Sequence, residues 1–159
     1  MARIAILTAS DKGAAGERED RSGAIIEQRA RADGHEIARR EVVADDRATI
    51  SRHLAEWCDQ GVADIIITTG GTGLTARDVT PEATRDIAER DVPALPIALA
   101  LAGLQNTPYA ALTRGIAVTR EKTLIVNLPG SPKAVEEGLA VIMPLVAHIA
   151  ELLAGPVEH

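Results

Sequence analysis

The chain has 159 residues, enough to bury a sizeable core and, by the usual length prior, a single domain over 1–159. A net charge of −6 sets its overall field against nucleic acid and anionic membranes. One Trp, one Tyr and no Phe leave almost nothing to stack on bases, so the core must be built from Ile, Leu, Val and Ala.

Met1-Ala2-Arg3-Ile4 reads as the start of a strand rather than a signal peptide, and no apolar run approaches transmembrane length. Arg3–Thr8 is a predicted strand that delivers Ser10, Asp11 and Lys12 to its carboxyl end. Gly13–Asp20 is small and polar and predicts a loop, after which Ser22 can cap a helix that Gly34 ends. Glu36–Val43 predicts a second strand, handing over to Asp45-Asp46. Either aspartate can cap the helix Arg47–Gln60, whose apolar face carries Ile50, Leu54 and Trp57 or Cys58, and one cap leaves the other carboxylate free. Cys58 has no disulfide partner, which fits a reducing cytoplasm. The histidines His35, His53, His148 and His159 show no metal-ligand spacing, which argues against zinc.

The central stretch is Ile65–Arg85. Ile65-Ile66-Ile67 has the unbroken apolar pattern of a strand buried on both faces, and it breaks into Thr68-Thr69-Gly70-Gly71-Thr72-Gly73. Glycines there let successive backbone N–H groups face an anion. Thr80-Pro81-Glu82 reads as a helix start with Thr80 as cap, and the charged pair Arg77-Asp78 stands between loop and helix. Read alone, the stretch is also compatible with a plain strand-to-helix turn; it is neither a Walker loop nor a dinucleotide fingerprint.

Pro81–Arg90 predicts a helix and Ala94–Gln105 another, apolar on several sides and so in need of cover from the domain or a second subunit. Gly115–Thr119 leads to a strand at Thr123–Leu128. Asn127-Leu128-Pro129-Gly130-Ser131-Pro132-Lys133 then opens a final helix, Lys133–Ala154, which Pro144 should kink. Gly155–His159 should fray.

Alternating strands and helices with double-sided apolar runs predict a three-layer α/β fold, a mostly parallel sheet flanked by helices. Right-handed crossovers place every strand's carboxyl end on one edge, gathering Ser10-Asp11, Asp45-Asp46, Gly70–Asp78 and Asn127–Lys133. Two carboxylates among backbone donors suit Mg²⁺ bridging phosphates, and no Ser–His or Cys–His pair supports acyl transfer.

The string Thr69–Gly73 followed by Arg77-Asp78-Val79-Thr80-Pro81-Glu82-Ala83, with Ile6–Asp11, Asp20-Arg21-Ser22-Gly23, Val42–Asp46 and Leu124–Pro132, resembles the molybdopterin adenylyltransferase family (MogA/MoaB and the gephyrin G domain) over essentially the whole chain. The resemblance implies a molybdopterin-binding α/β domain that forms homotrimers. It implies that ATP and molybdopterin are the substrates, with Mg²⁺, and that adenylyl-molybdopterin and pyrophosphate are the products. The family's two functional aspartates map onto Asp45 and Asp78, as catalytic residues and Mg²⁺ ligands. Gly70, Gly71, Thr72, Gly73 and Thr80 would hold phosphate. Asn127, Pro129, Gly130, Ser131 and Lys133 would complete the nucleotide or pterin pocket, with Ser10, Asp11, Asp20 and Ser22 on its other wall. A downstream molybdate-insertion enzyme is the implied protein partner. Ala94-Leu95-Pro96-Ile97 stands where some bacterial members carry Gly-Phe-Gly-Glu, so no role of that glutamate transfers. The competing reading is a non-catalytic trimer of MoaB type that carries molybdopterin without turning over ATP.

Overall fold

The computed structural model describes residues 1–156; positions 157–159 of the tail expected to fray lie outside the described residues. One sheet runs in the order β2-β1-β3-β6-β5-β4, formed by β1 (Arg3–Ala9), β2 (Glu36–Val43), β3 (Ile65–Thr69), β4 (Arg90–Asp91), β5 (Ala117–Arg120) and β6 (Thr123–Leu128). The first four in that order are mutually parallel, and their register puts Ile4, Ile65 and Leu124 in one row and Thr8, Thr69 and Leu128 in another. Their carboxyl ends therefore share one rim. The chain order reverses between β1 and β3, the switch point at which such sheets leave a crevice.

Alternation along the strands divides the core between two faces. Ile4, Ile6, Ile65, Ile67 and Val126 pack under α2 (Arg21–Ala32), α5 (Ala94–Leu104), α6 (Pro132–Ile142) and α7 (Val146–Ala154). Ala5, Leu7, Ile66, Val118 and Ile125 pack against α3 (Arg47–Asp59) and α4 (Thr80–Arg85). This is the three-layer α/β arrangement. Each large aliphatic side chain so removed from water is worth about 1.5–3 kcal/mol.

The structure departs from expectation in several places. Ser10 caps a single helical turn, α1 (Asp11–Ala14), whose second half takes up the start of the predicted loop. Asp20, not Ser22, caps α2, its carboxylate accepting from the Gly23 N–H. The predicted helix Pro81–Arg90 stops at Arg85, because the chain beyond it is drawn to the sheet edge: Glu89 N–H donates to the Thr119 carbonyl and β4 pairs antiparallel with β5. β5 itself runs antiparallel to β6, since Glu121-Lys122 reverses the chain with Glu121 at φ 50°. Pro144 falls in a three-residue 3-10 turn, Met143–Leu145, that joins α6 to α7. Contrary to expectation, the helical run Pro132–Ala154 is by length and composition alone long and apolar enough to cross a membrane. Its Val135, Leu139, Ile142 and Val146 are buried in the core.

Candidate functional site

The rim is tied together by its own aspartates. Asp46 caps α3, accepting from the Thr49 N–H at 2.9 Å and the Thr49 hydroxyl at 2.7 Å, and so leaves Asp45 free for the crevice. Asp45 and Asp11 grip each other's backbone: the Asp11 N–H donates to Asp45 Oδ2 at 3.0 Å and the Asp45 N–H to Asp11 Oδ1 at 2.9 Å. Arg77 reaches Asp11 in turn, through Nε at 3.0 Å and Nη2 at 2.8 Å, rather than its neighbour Asp78. Asp78 Oδ2 instead accepts from the N–H and hydroxyl of Thr75, at 3.0 and 2.8 Å. The Arg77 fork holds the Asp11 carboxyl below the ordinary aspartate range. Burial pushes Asp45 above that range, reinforced by the negative charges of Asp11 and Asp78.

The glycine loop separates into two roles. Gly70 and Gly71 both adopt positive φ, 90° and 69°. A Cβ on Gly70 would overlap the Ala9 carbonyl, and one on Gly71 would overlap Thr80 Oγ1 and stand 3.2 Å from Asp45 Oδ1. One on Gly73 would stand 2.9 Å from Asp78 Oδ2. The two aspartates thus approach the loop at Gly71 and Gly73. The Gly70 N–H is already engaged by the Leu128 carbonyl at 3.1 Å, so Gly70 contributes shape rather than a donor. Among the described residues the N–H groups of Gly71, Thr72 and Gly73 have no protein acceptor and are open to an anion.

Two cavities meet at this loop. One, of about 610 Å³, is the more polar: Ser10, Arg18, Glu19, Asp20, Arg21, Ser22 and Asp45 contribute to it, along with the amino ends of α2 and α6. The other, of about 630 Å³, is walled mainly by Leu74, Pro96, Leu99, Tyr109 and Leu112. Gly71, Asp78, Gly130 and Ser131 line both.

The remaining predicted residues divide between ligand-facing and framework positions. Ser10 and Ser131 accept from Gly13 and Ala134 N–H groups as helix caps, and Ser22 donates to the Gly130 carbonyl at 2.6 Å. Asp20 also accepts from the Thr8 hydroxyl at 3.0 Å. Thr80 is not the cap of α4; it is fully buried in the first turn, and its Oγ1 has no partner. Asn127 lines the apolar cavity, but its amide donates to Thr68 and Thr84 and accepts from the Ile116 N–H, leaving it a framework residue. Pro129 lines the same cavity, and its carbonyl accepts from Thr69. Lys133 is exposed and lines neither cavity.

Sequence reading missed Arg114. Its Nε donates to the Gly73 carbonyl at 2.7 Å, Nη2 to the Asp78 carbonyl at 2.8 Å, and Nη1 to both Glu82 oxygens at 2.9 Å. It staples the loop to α4 from a position 41 residues away, and nothing in the local sequence signals that. It missed Arg18, Arg21 and Glu137 as well; the spacing of Ala134, Glu137 and Gly138 on one helix face was the available sign of the last. No group of three or more Cys, His, Asp or Glu among the described residues forms a metal cage. Asp45 and Asp78 offer oxygens only, and the charge on Asp45, disfavoured by burial and by Asp11 and Asp78, is only partly offset by the Asp11 N–H and Arg77. That donor chemistry fits a hard cation drawing its other ligands from phosphate and water.

The chain is similar to the molybdopterin adenylyltransferase of Helicobacter pylori (strain J99), 37% identical over 162 residues, which cover 96% of this chain and 88% of that one. Gephyrin of Dictyostelium discoideum is 38% identical over 160 residues, covering 94% of this chain and 22% of gephyrin. The crystal structure of the molybdopterin biosynthesis enzyme MoaB of Thermus thermophilus superimposes with a TM-score of 0.91 at 46% identity over 98% of each chain. The family model described as a probable molybdopterin binding domain matches residues 5–148, and the chain belongs to that family.

Proposed function

We propose that the chain, as one domain over 1–159, is a molybdopterin adenylyltransferase. A terminal phosphate oxygen of molybdopterin attacks the α-phosphorus of ATP. The new P–O bond forms as the bond from that phosphorus to its β-bridging oxygen breaks, and pyrophosphate leaves with the electron pair. The observation that carries this reading is the meeting of Asp45, on the side of one cavity, with the unpaired N–H groups of Thr72 and Gly73, on the side of the other, across Gly71 and Asp78, which line both. Two substrates joined end to end through phosphate need that layout. The names of the relatives point the same way.

The loop N–H groups hold phosphate oxygens, and Arg18 and Arg21 offset charge at the polar mouth. Ser10, Asp20 and Ser22 shape that mouth, and Gly130 and Ser131 close the shared wall. Phosphate is anionic at neutral pH, so no strong base is required, which accords with the lack of histidine at the rim. Asp45 and Asp78 would hold Mg²⁺, which when bound neutralises the phosphate charge that builds up in transfer. A homotrimer is part of the same proposal, because Ile97 and Leu101 of α5 are each 60% exposed in the single chain. Hand-over to a molybdate-insertion enzyme would follow.

Incubating the purified chain with molybdopterin, ATP and Mg²⁺ should yield adenylylated pterin and pyrophosphate. Asp78→Asn should lower turnover by roughly a hundredfold or more with the melting temperature retained. Pterin binding with no pyrophosphate release from the wild type would establish the carrier reading instead.

A further inference from the structure

The apolar cavity contains one carboxylate that nothing in the fold explains. Glu137 stands on α6 beside Ala134 and Gly138, on the helix face that forms the cavity wall, and it is half-buried. Of the other acidic side chains that line the two cavities, Asp78 is engaged by Thr75, Asp20 by Thr8 and Asp45 by the Asp11 N–H, while Glu19 is exposed at the polar mouth. Glu137 makes no hydrogen bond or ion pair among the described residues. Gly138 next to it cannot carry a Cβ without pressing on Leu128 at 2.7 Å, so the helix lies close against the sheet and Glu137 marks where space opens.

An ionised carboxylate only accepts, and its two oxygens suit a ligand edge that presents two adjacent N–H donors. The ring N–H and exocyclic amino group of a 2-amino-4-oxopteridine form such an edge. Adenine does not: its single amino donor lies between ring nitrogens that are acceptors, so one carboxylate oxygen would face a lone pair. We propose that Glu137 is the residue that selects the pterin, accepting a pair of N–H bonds from its amino edge within the apolar cavity. The nucleotide is thereby assigned to the polar cavity, and the two phosphates meet at Gly71 and Asp78. This deepens, and rests on, the adenylyl-transfer reading of the same site.

The test is a fluorescence titration of the intact chain with pterin and with lumazine, which carries an oxo group where pterin has the amino group. Wild type should bind pterin roughly tenfold or more tightly than lumazine, the scale on which a site built for a donor rejects an analogue lacking it. Glu137→Gln keeps the size of the side chain but sets a donor against the pterin donors. It should lose roughly tenfold in pterin affinity and most of the discrimination, with ATP affinity unchanged. Equal binding of the two pteridines by wild type, no measurable pterin binding, or a Glu137→Gln change confined to ATP would overturn the assignment. Discrimination through Glu137 without adenylylated product would uphold the assignment and refute the transfer reaction.

Discussion

Asp45 and Asp46 are adjacent, chemically identical and divided only by what each side chain meets. Sequence leaves the choice of cap open, because both positions can reach the first turn of α3; the structure gives that task to Asp46 and turns Asp45 toward Gly71. The consequence is thermodynamic. Asp45 has its pKa raised in the fold by burial and by the charges of Asp11 and Asp78, so its favourable contribution is complete below the ordinary aspartate value of 3.8 and is lost as pH rises through the folded value. At pH 7 the folded chain therefore carries a disfavoured charge. Asp45→Asn can still accept from the Asp11 N–H, and thermal melts should place it above wild type at pH 7, with the gap closing as pH falls through the carboxylate range. Mg²⁺ should raise the wild-type midpoint more than that of Asp45→Asn. A variant that melts lower at pH 7 would contradict this account.

At the level of elements, the strands β1, β2 and β6 were legible to within a residue and β3 to within two; β3 and β6 show because a strand covered on both faces must be a short, largely apolar run, whereas β2 is a partly exposed edge strand. That common rim follows from parallel pairing, so the meeting of Asp45 and Asp78 was legible too. What escaped is what depends on contact through space. The antiparallel direction of β5 comes from a turn at Glu121, and the shortened α4 from capture of β4 by the sheet edge. Arg114 acts on a loop far away in sequence. The glycines were read as donors to phosphate, yet Gly70 is required because the end of β1 passes against it. Gly70→Ala should therefore be the more damaging of two loop substitutions, since a backbone carbonyl blocks it, whereas the Thr80 hydroxyl that blocks Gly71→Ala belongs to a side chain. Each also carries about 1–2 kcal/mol for a left-handed residue with a Cβ. Urea midpoints in the order wild type, Gly71→Ala, Gly70→Ala would bear this out; the reverse order of the variants would not.

Over the whole molecule, the feature that stands apart is the outward side of α5. Leu95 and Gly103 are buried, but Ile97, Leu101 and Leu104 are 60%, 60% and 44% exposed, and exposed Tyr109 and Leu112 follow. Composition announces that this helix needs cover and cannot say from which side, because an all-round apolar helix has no polar stripe to orient it. If copies of the chain supply the cover, Leu101→Asp should shift the mass in sedimentation from a multiple of 16.7 kDa toward 16.7 kDa itself. An unchanged mass would place the subunit contacts elsewhere.

The partition at Gly71 and Asp78, with a separate opening on either side, also bears on the end of the reaction. Under the proposed chemistry each reactant occupies one chamber, while the joined product straddles the threshold and is held at both ends. Two moderate grips linked by one molecule act as a tight one, because letting go at one end leaves the other still attached. The enzyme would then keep its product rather than shed it, and departure, not bond-making, would set the pace of the cycle.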